Sequence, residues 1–329
     1  IRMVYDGSFE DDPLRMLRAI QFAARFNFMI EPKTFEALRR NAHLMKSVSS
    51  ERIAEELNKL LELAPRPSEG LRIMHTTGLL REILPELEAC IDVDQPGGYH
   101  KYDVFEHTLH VIDAAKPDLR LRWAALFHDI TKPKHKRVVE DGATFYGHEV
   151  SAAKVAREVL GRLKYSNDLI KDVSTLCERH MFTTDVTDKG LRRLVKRVGV
   201  DLIFDLLDLR RADVEGQGMG GSTDDVDRFE ADIRAGRLVA KTYSSSTGDP
   251  NVDPSSWIVT TAKSYSKPGS RAVDKISRES AMTNITEYEE FVYYPDGSPA
   301  LYYRSDRLSG GGPAREEDRY YFSGGACIR

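Results

Sequence analysis

Cysteine is scarce: 329 residues hold three, Cys90, Cys177 and Cys327, with no C-x-x-C spacing among them. That argues against a disulfide framework and a cysteine-ligated zinc knot, and it fits a reducing, cytoplasmic setting. Long apolar runs are missing as well, so no stretch approaches the roughly 20 residues of a membrane-spanning helix. No charged-then-apolar leader opens the chain. The first residue is Ile1, which raises the expectation that the sequence is a piece of a longer product. Charge of one sign is also lacking. The net charge is −4, so the chain as a whole has no nucleic-acid-binding signature. The balance is uneven, however, because residues 151–200 hold 11 Lys and Arg against 6 Asp and Glu. Much of that excess lies in Lys189-Gly-Leu-Arg-Arg-Leu-Val-Lys-Arg197. This run reads either as an RNA-backbone contact or as a solvated helix face.

What is present is helical punctuation. The length allows two or three domains with a substantial core. Asp12 suits an N-cap, Pro13 a first helical position, and Leu14, Leu17 and Ala24 an apolar face. Glu31-Pro32 opens a second helix, Ser49-Ser50 cap a third through about Leu63, and Arg66-Pro67 open a fourth ending near Gly78. A short apolar stretch then stops at Leu84-Pro85, and Pro96-Gly97-Gly98 marks a linker. Further helices are expected near 103–115, 119–130, 148–163, 168–181, 189–198, 201–217 and 224–235. After about residue 240 the texture changes. Ser244 to Pro250 reads as a linker, Phe291 to Tyr303 as an aromatic hairpin around Pro295-Asp296-Gly297, and Arg319 to Arg329 as a strand pair about Gly324-Gly325. The expected fold is mainly α, in three parts: a helical neck and body over 1–91, a helical bundle over 92–240, and a linker with a small β-rich module over 241–329.

The longest buried-helix signal, Leu119 to Ile130, carries His128-Asp129 and is followed by Lys132-Pro133. A neutral imidazole beside a carboxylate offers two lone-pair donors to one divalent cation. His107, His148, His180 and Asp213 recur at about one helix plus a connection, with successive intervals of 21, 19, 32 and 33 residues. Ligands so spaced converge at one end of a bundle. Asp205 and Asp208 compete with Asp213 on the same helix. His43, His75, His100, His110 and His135 read as surface or packing histidines.

The series His107, His128-Asp129, His148, His180, Asp213 resembles the HD-domain metal-dependent phosphohydrolases. The resemblance implies that His107, His128, Asp129 and Asp213 hold one divalent metal (Mg, Mn or Ni), that His148 and His180 help hold a second, and that Lys132 faces a phosphate. Thr131 stands where a glycine is common. Catalysis is expected from His128, Asp129 and Lys132: a bound divalent ion acidifies a water and polarises a phosphoryl oxygen.

Phe9 to Arg25, with Asp11-Asp12-Pro-Leu-Arg15, resembles the neck helix of bacterial CCA-adding tRNA nucleotidyltransferases and poly(A) polymerases, in which a Glu-Asp-x-x-Arg motif reads the incoming base. Asp11 replaces the usual Glu. Ser50 to Leu57, Gly78 to Leu87 and Tyr99 to Leu109 extend the resemblance, which covers about residues 1–240 and not the β module. It implies nucleotide binding by Asp12, Arg15 and Arg18, with ATP and CTP as ligands and tRNA as partner. Gln21 stands where an arginine is common. Asp12 and Arg15, three apart on one helix face, can present an acceptor and donors to a base edge. The simpler reading is a cap and its ion pair. The family's polymerase carboxylates lie on a head domain before the neck, and no Gly-Ser followed by Asp-x-Asp precedes residue 9. The stretch is therefore expected to hydrolyse phosphoesters, to bind nucleotide weakly and not to polymerise. Two alternatives stand beside this: a non-catalytic RNA-binding module, and a stand-alone HD nucleotidase or phosphodiesterase.

Overall fold

Ser8–Asp11 (α1) and Leu14–Phe26 (α2) open the computed structural model of the chain. It describes residues 1–98, 100–140 and 142–234, and strand residues 244–247, 258–261, 281–282, 285–293, 299–308, 316–323 and 326–328. These divide into two units, Ile1–Phe182 with Asp201–Val226, and Thr183–Val200 with Asp227–Arg329.

In the first unit, α2 starts one residue later than its Pro signal suggests. Asp12 Oδ1 nevertheless accepts the Leu14 N–H at 3.3 Å, as a capping carboxylate does. Leu14, Leu17 and Ile20, spaced three apart, are fully buried. That stripe packs on Ser50–Leu63 (α4) and Pro67–Thr77 (α5), beyond Pro32–Asn41 (α3) and a 3₁₀ turn at Ala42–Ser47. Ser49 occupies the cap position of α4 without a side-chain bond; its backbone carbonyl alone serves Ile53. Gly78 closes α5 at φ 81°, a left-handed conformation that disfavours any residue with a Cβ. Leu79–Ile83 (α6) and a further turn, Pro85–Glu88 (α7), lead to the linker.

Val104–Ala114 (α8) and Leu119–Phe127 (α9) then start on Asp103 and Asp118, whose carboxylates accept the Glu106 and Leu121 N–H groups. Helix α9 is buried from Leu121 through Phe127. Its Arg122, 3% exposed, donates to the carbonyls of Leu61 and Ala64 at the end of α4 and of Ala115. A buried arginine thus satisfies carbonyls that a helix end leaves open. Lys132–His135 (α10) precedes a hairpin of Arg137–Val139 (β1) and Gly142–Thr144 (β2) that the sequence reading lacked. His148–Arg162 (α11) and Asn167–Arg179 (α12) pack on each other and on α9.

The second unit holds Asp188–Val198 (α13), on which Arg193, Lys196 and Arg197 are exposed. Val200–Gly216 (α14) lies, apart from its first residue, in the first unit, and Asp224–Arg234 (α15) follows it. Ser244–Thr247 (β3) pairs antiparallel with Ile258–Thr261 (β4), so part of the expected linker is a strand. Backbone pairing needs a partner strand more than particular side chains, and Ile-Val-Thr-Thr supplies one. Ala281–Met282 (β5), Ile285–Tyr293 (β6), Pro299–Leu308 (β7), Glu316–Ser323 (β8) and Ala326–Ile328 (β9) form an antiparallel sheet in chain order. Phe291 is opposite Tyr302, and Tyr321 is opposite Ile328. Both expected strand pairs are therefore present, while the turns at Pro295–Gly297 and Gly324–Gly325 lie outside the described residues. The fold is mainly α with a small β-rich C-terminal module.

Candidate metal centre

Helix ends deliver the site. His107 sits on the first turns of α8. His128 and Asp129 follow the last residue of α9, His148 opens α11 after Gly147 at φ 79°, His180 follows α12, and Asp213 lies in the last turn of α14. Three of the histidines are fixed in the same way. His128 Nδ1 donates to Ala125 O, His148 Nδ1 to Phe145 O and His180 Nδ1 to Cys177 O, each at 2.7 Å. A carbonyl can only accept, so each ring carries its proton on Nδ1 and turns Nε2 toward the others.

The Nε2 atoms meet around Asp129. His107 and His128 Nε2 lie 3.3 and 3.2 Å from Asp129 Oδ2, and His107 Nε2 is 3.2 Å from Asp213 Oδ1. The other oxygen, Asp129 Oδ1, is 3.1 Å from His148 Nε2 and 3.7 Å from His180 Nε2. His107 faces His128, and His148 faces His180, at 3.3 Å between Nε2 atoms. Two groups of donors thus share one carboxylate. Lone pairs set against lone pairs repel unless a cation lies between them. Donors about 2.0–2.2 Å from one ion stand roughly 3.0–3.5 Å from each other, so these spacings suit a divalent cation. The set is nitrogen and oxygen without thiolate, which fits a catalytic site better than a structural zinc knot.

Burial sharpens the electrostatics. Asp129 is 2% exposed. Burial works to raise its pKa, but His128, Lys132 and the histidine hydrogen bonds overcome it and hold the carboxylate well below its usual range. Asp213 is held low as well, where its hydrogen bond with His107 and the nearby His128 outweigh burial. His107 is pushed up to about 9, because its bonds to Asp129 and Asp213 outweigh the desolvation that would lower it. His148 moves up for the same reason against Asp129. His180 falls to about 3, through burial first and then the neighbouring His128.

His107, His128, Asp129, His148, His180 and Asp213 come together as the spacing suggests. Asp205 and Asp208 do not join them: they pair with Arg120 and Lys116. Lys132 is there too, but its Nζ is 2.6 Å from both Asp129 Oδ2 and Gln95 Oε1. Sequence reasoning missed His100, whose ring meets His107 edge-on at 4.7 Å and which burial pushes down to about 4. It also missed Gln95, Gln217 and Arg210 on the wall of the adjoining cavity of about 270 Å³. Arg210 had a signal, standing three residues before Asp213 on one helix. His100 had none, since the Pro96–Gly98 linker alone brings it there.

Arg15 and Arg18 lie on α2, but Asp12 stands two residues before it in extended backbone, so Asp12 and Arg15 do not share a helix face as expected; none of the three belongs to this cluster. Asp12 pairs with Arg52 at 3.1 Å, Arg15 Nη1 donates to Ser8 O at 3.1 Å, and Arg18 pairs with buried Glu56 at 3.4 Å. Asp12 and Arg15 are not joined to each other in these contacts. Each keeps a partner that holds the side chain in place on the partly exposed face.

Comparison with known proteins bears on both regions. Residues 27–91 match the family described as "Probable RNA and SrmB- binding site of polymerase A", and residues 104–215 match the HD domain. The chain is 35% identical to the A-adding tRNA nucleotidyltransferase of Deinococcus radiodurans over 73% of its own length and 57% of the relative's. It is 36% identical to the CC-adding tRNA nucleotidyltransferase of Thermus thermophilus over 64% and 50%. The chain is a homologue of the CCA-adding tRNA nucleotidyltransferases. A third such relative, the multifunctional CCA protein of Azoarcus sp., is 34% identical over 52% of this chain and 42% of its own. This nucleotidyltransferase homologue spans about half the length of the curated relatives it matches. The HD match encloses His107, His128, Asp129, His148, His180 and Asp213, with His100 just before it, and the RNA-binding match begins just after α2.

Proposed function

We propose that this chain carries the neck and body (1–91) and the HD portion (92–240) of a tRNA nucleotidyltransferase, followed by a linker and small β module (241–329), and that its own residues support metal-dependent phosphoester hydrolysis. The observation that carries the reading is Asp129, whose two oxygens each face a separate pair of histidine Nε2 atoms. His107, His128, Asp129 and Asp213 would hold one divalent ion, and His148 and His180 with Asp129 a second. When bound, such an ion supplies Lewis acidity toward a phosphoester and lowers the pKa of a water. The chain's residues do the rest. The three Nδ1–H bonds keep the imidazoles from turning, Lys132 and Gln95 hold Asp129 in orientation, and burial excludes bulk water from the charges.

Asp12, just before α2, and Arg15 on it would meet a base edge and Arg18 a phosphate, with ATP and CTP as ligands and tRNA as the macromolecular partner. In that role Arg52 and Glu56 brace the reading side chains until a nucleotide exchanges with them. The setting is cytoplasmic; among the described residues no helix is long and apolar enough to cross a membrane.

Titration of the chain with Mn²⁺, Ni²⁺ or Mg²⁺ in the presence of bis-p-nitrophenyl phosphate tests the hydrolytic reading. Turnover should require metal and disappear in Asp129→Ala. Absence of metal-dependent turnover in the native sequence would sink it.

A further inference from the structure

Among the described residues, Lys132 and Arg210 are the lysine and arginine on the cavity beside the cluster. They are not equivalent. Lys132 is 8% exposed and spends its ammonium on Asp129 Oδ2 and Gln95 Oε1, both at 2.6 Å, with the Phe145 ring centroid 5.4 Å away. Its charge is matched by the carboxylate it touches. Arg210 has a 28% exposed side chain and donates through Nη1 to Asp213 Oδ2 at 3.2 Å. Asp213 presents its opposite oxygen, Oδ1, to His107 at 3.2 Å. Arg210 therefore stands on the outer side of that carboxylate, and its Nε and Nη2 hydrogens are not engaged in this contact. A guanidinium offers five N–H donors in a planar fork, which matches two oxygens of a phosphoryl group.

We propose that Arg210, rather than Lys132, is the side chain that binds the anionic phosphate of a substrate in this cavity. The proposal rests on the metal reading of the cluster and assigns the substrate's charge a place in it. Asp129 and Asp213 bring negative charge to the cavity, and a phosphate approaching them needs a cation that is still able to donate. Lys132 is committed to keeping Asp129 in place. Arg210 keeps Asp213 in place with one nitrogen and has others to offer. The two cations thus divide the work: Lys132 orients a carboxylate, and Arg210 both orients one and receives the substrate. The apolar wall of Phe145 and Met181 leaves room for the organic part of the ester.

The test is calorimetric titration of the full chain with inorganic phosphate, at saturating Mn²⁺ and again without metal. Arg210→Gln keeps a donor for Asp213 and removes the charged fork. It is expected to weaken phosphate binding by about ten- to a hundred-fold, the range of a charge-assisted bond, with Arg210→Lys in between. Lys132→Gln is expected to weaken Mn²⁺ uptake and, once metal is saturating, to leave phosphate affinity within about twofold. Arg210→Gln binding phosphate as the native chain does would overturn the proposal. So would a loss in Lys132→Gln at saturating metal, or no phosphate binding to the native chain in either condition. If Mn²⁺ does not bind, the metal reading fails, and the metal-free titration still decides whether phosphate depends on Arg210. Arg210→Lys guards against a folding defect in the Gln variant.

Discussion

Replacing Asp129 with Asn keeps the volume of the side chain but removes the charge that both histidine pairs face. If Asp129 is a direct ligand, Mn²⁺ affinity in Asp129→Asn should fall by more than about a hundred-fold, beyond the effect of losing an outer-shell partner. Isothermal titration reads this directly. His107 makes a second prediction at the same scale. Its pKa in the metal-free fold is raised to about 9, above the unfolded value, so the stability it contributes is present below about pH 6.5 and is lost as pH rises through 9. A cation must displace that proton. Metal binding at pH 7 to 8 should therefore release close to one proton from this residue, and apparent affinity should rise with pH toward 9. Titrations in two buffers of different ionisation enthalpy measure the release; a heat independent of buffer would contradict it. The residues that cluster could be read from their types and spacing. The partners that tune them could not: Gln95 reaches Lys132 across 37 positions, and His100 meets His107 only through the path of the preceding linker.

Helix boundaries were legible wherever the signal is local. Asp103 and Asp118 cap their own helices, and Gly78 ends α5 at φ 81°. Signals that depend on a distant partner were not. Ser49 occupies its cap position without a hydroxyl bond. Asp12, which reads as a plain cap, is also tied to Arg52, forty positions along. The β1–β2 hairpin escaped because its three-residue strands show no buried-exposed alternation: all three β1 residues are exposed and all three β2 residues half-buried. The same contrast gives a prediction about Arg122. It serves the carbonyls of Leu61, Ala64 and Ala115 from inside α9. Arg122→Ala strands those acceptors and leaves a cavity between α4 and α9. The loss should be about 3–5 kcal/mol, read as a lower urea midpoint with little change in slope. A shift of less than about 1 kcal/mol would mean that water replaces the guanidinium.

At the scale of the whole molecule, if a chain of net charge −4 is to handle tRNA, it must concentrate its positive charge. Helix α13 exposes Arg193, Lys196 and Arg197. If this face contacts RNA, replacing all three with Glu should weaken tRNA binding and flatten the dependence of log affinity on log salt by about 2 to 3 units, near 0.7–0.9 per lost phosphate contact. An unchanged slope would return the helix to a solvated face. The β module stands apart from this reasoning: its pairing was foreseeable from alternating aromatic strands, but its sequence offers no group that assigns it a task. The proposed chemistry depends on the cluster around Asp129. The most direct measurement is anomalous diffraction from crystals of the chain grown with Mn²⁺. A peak is expected in the space enclosed by the Nε2 atoms of His107 and His128 and the carboxylates of Asp129 and Asp213. Manganese-saturated crystals with no peak at that position would contradict it.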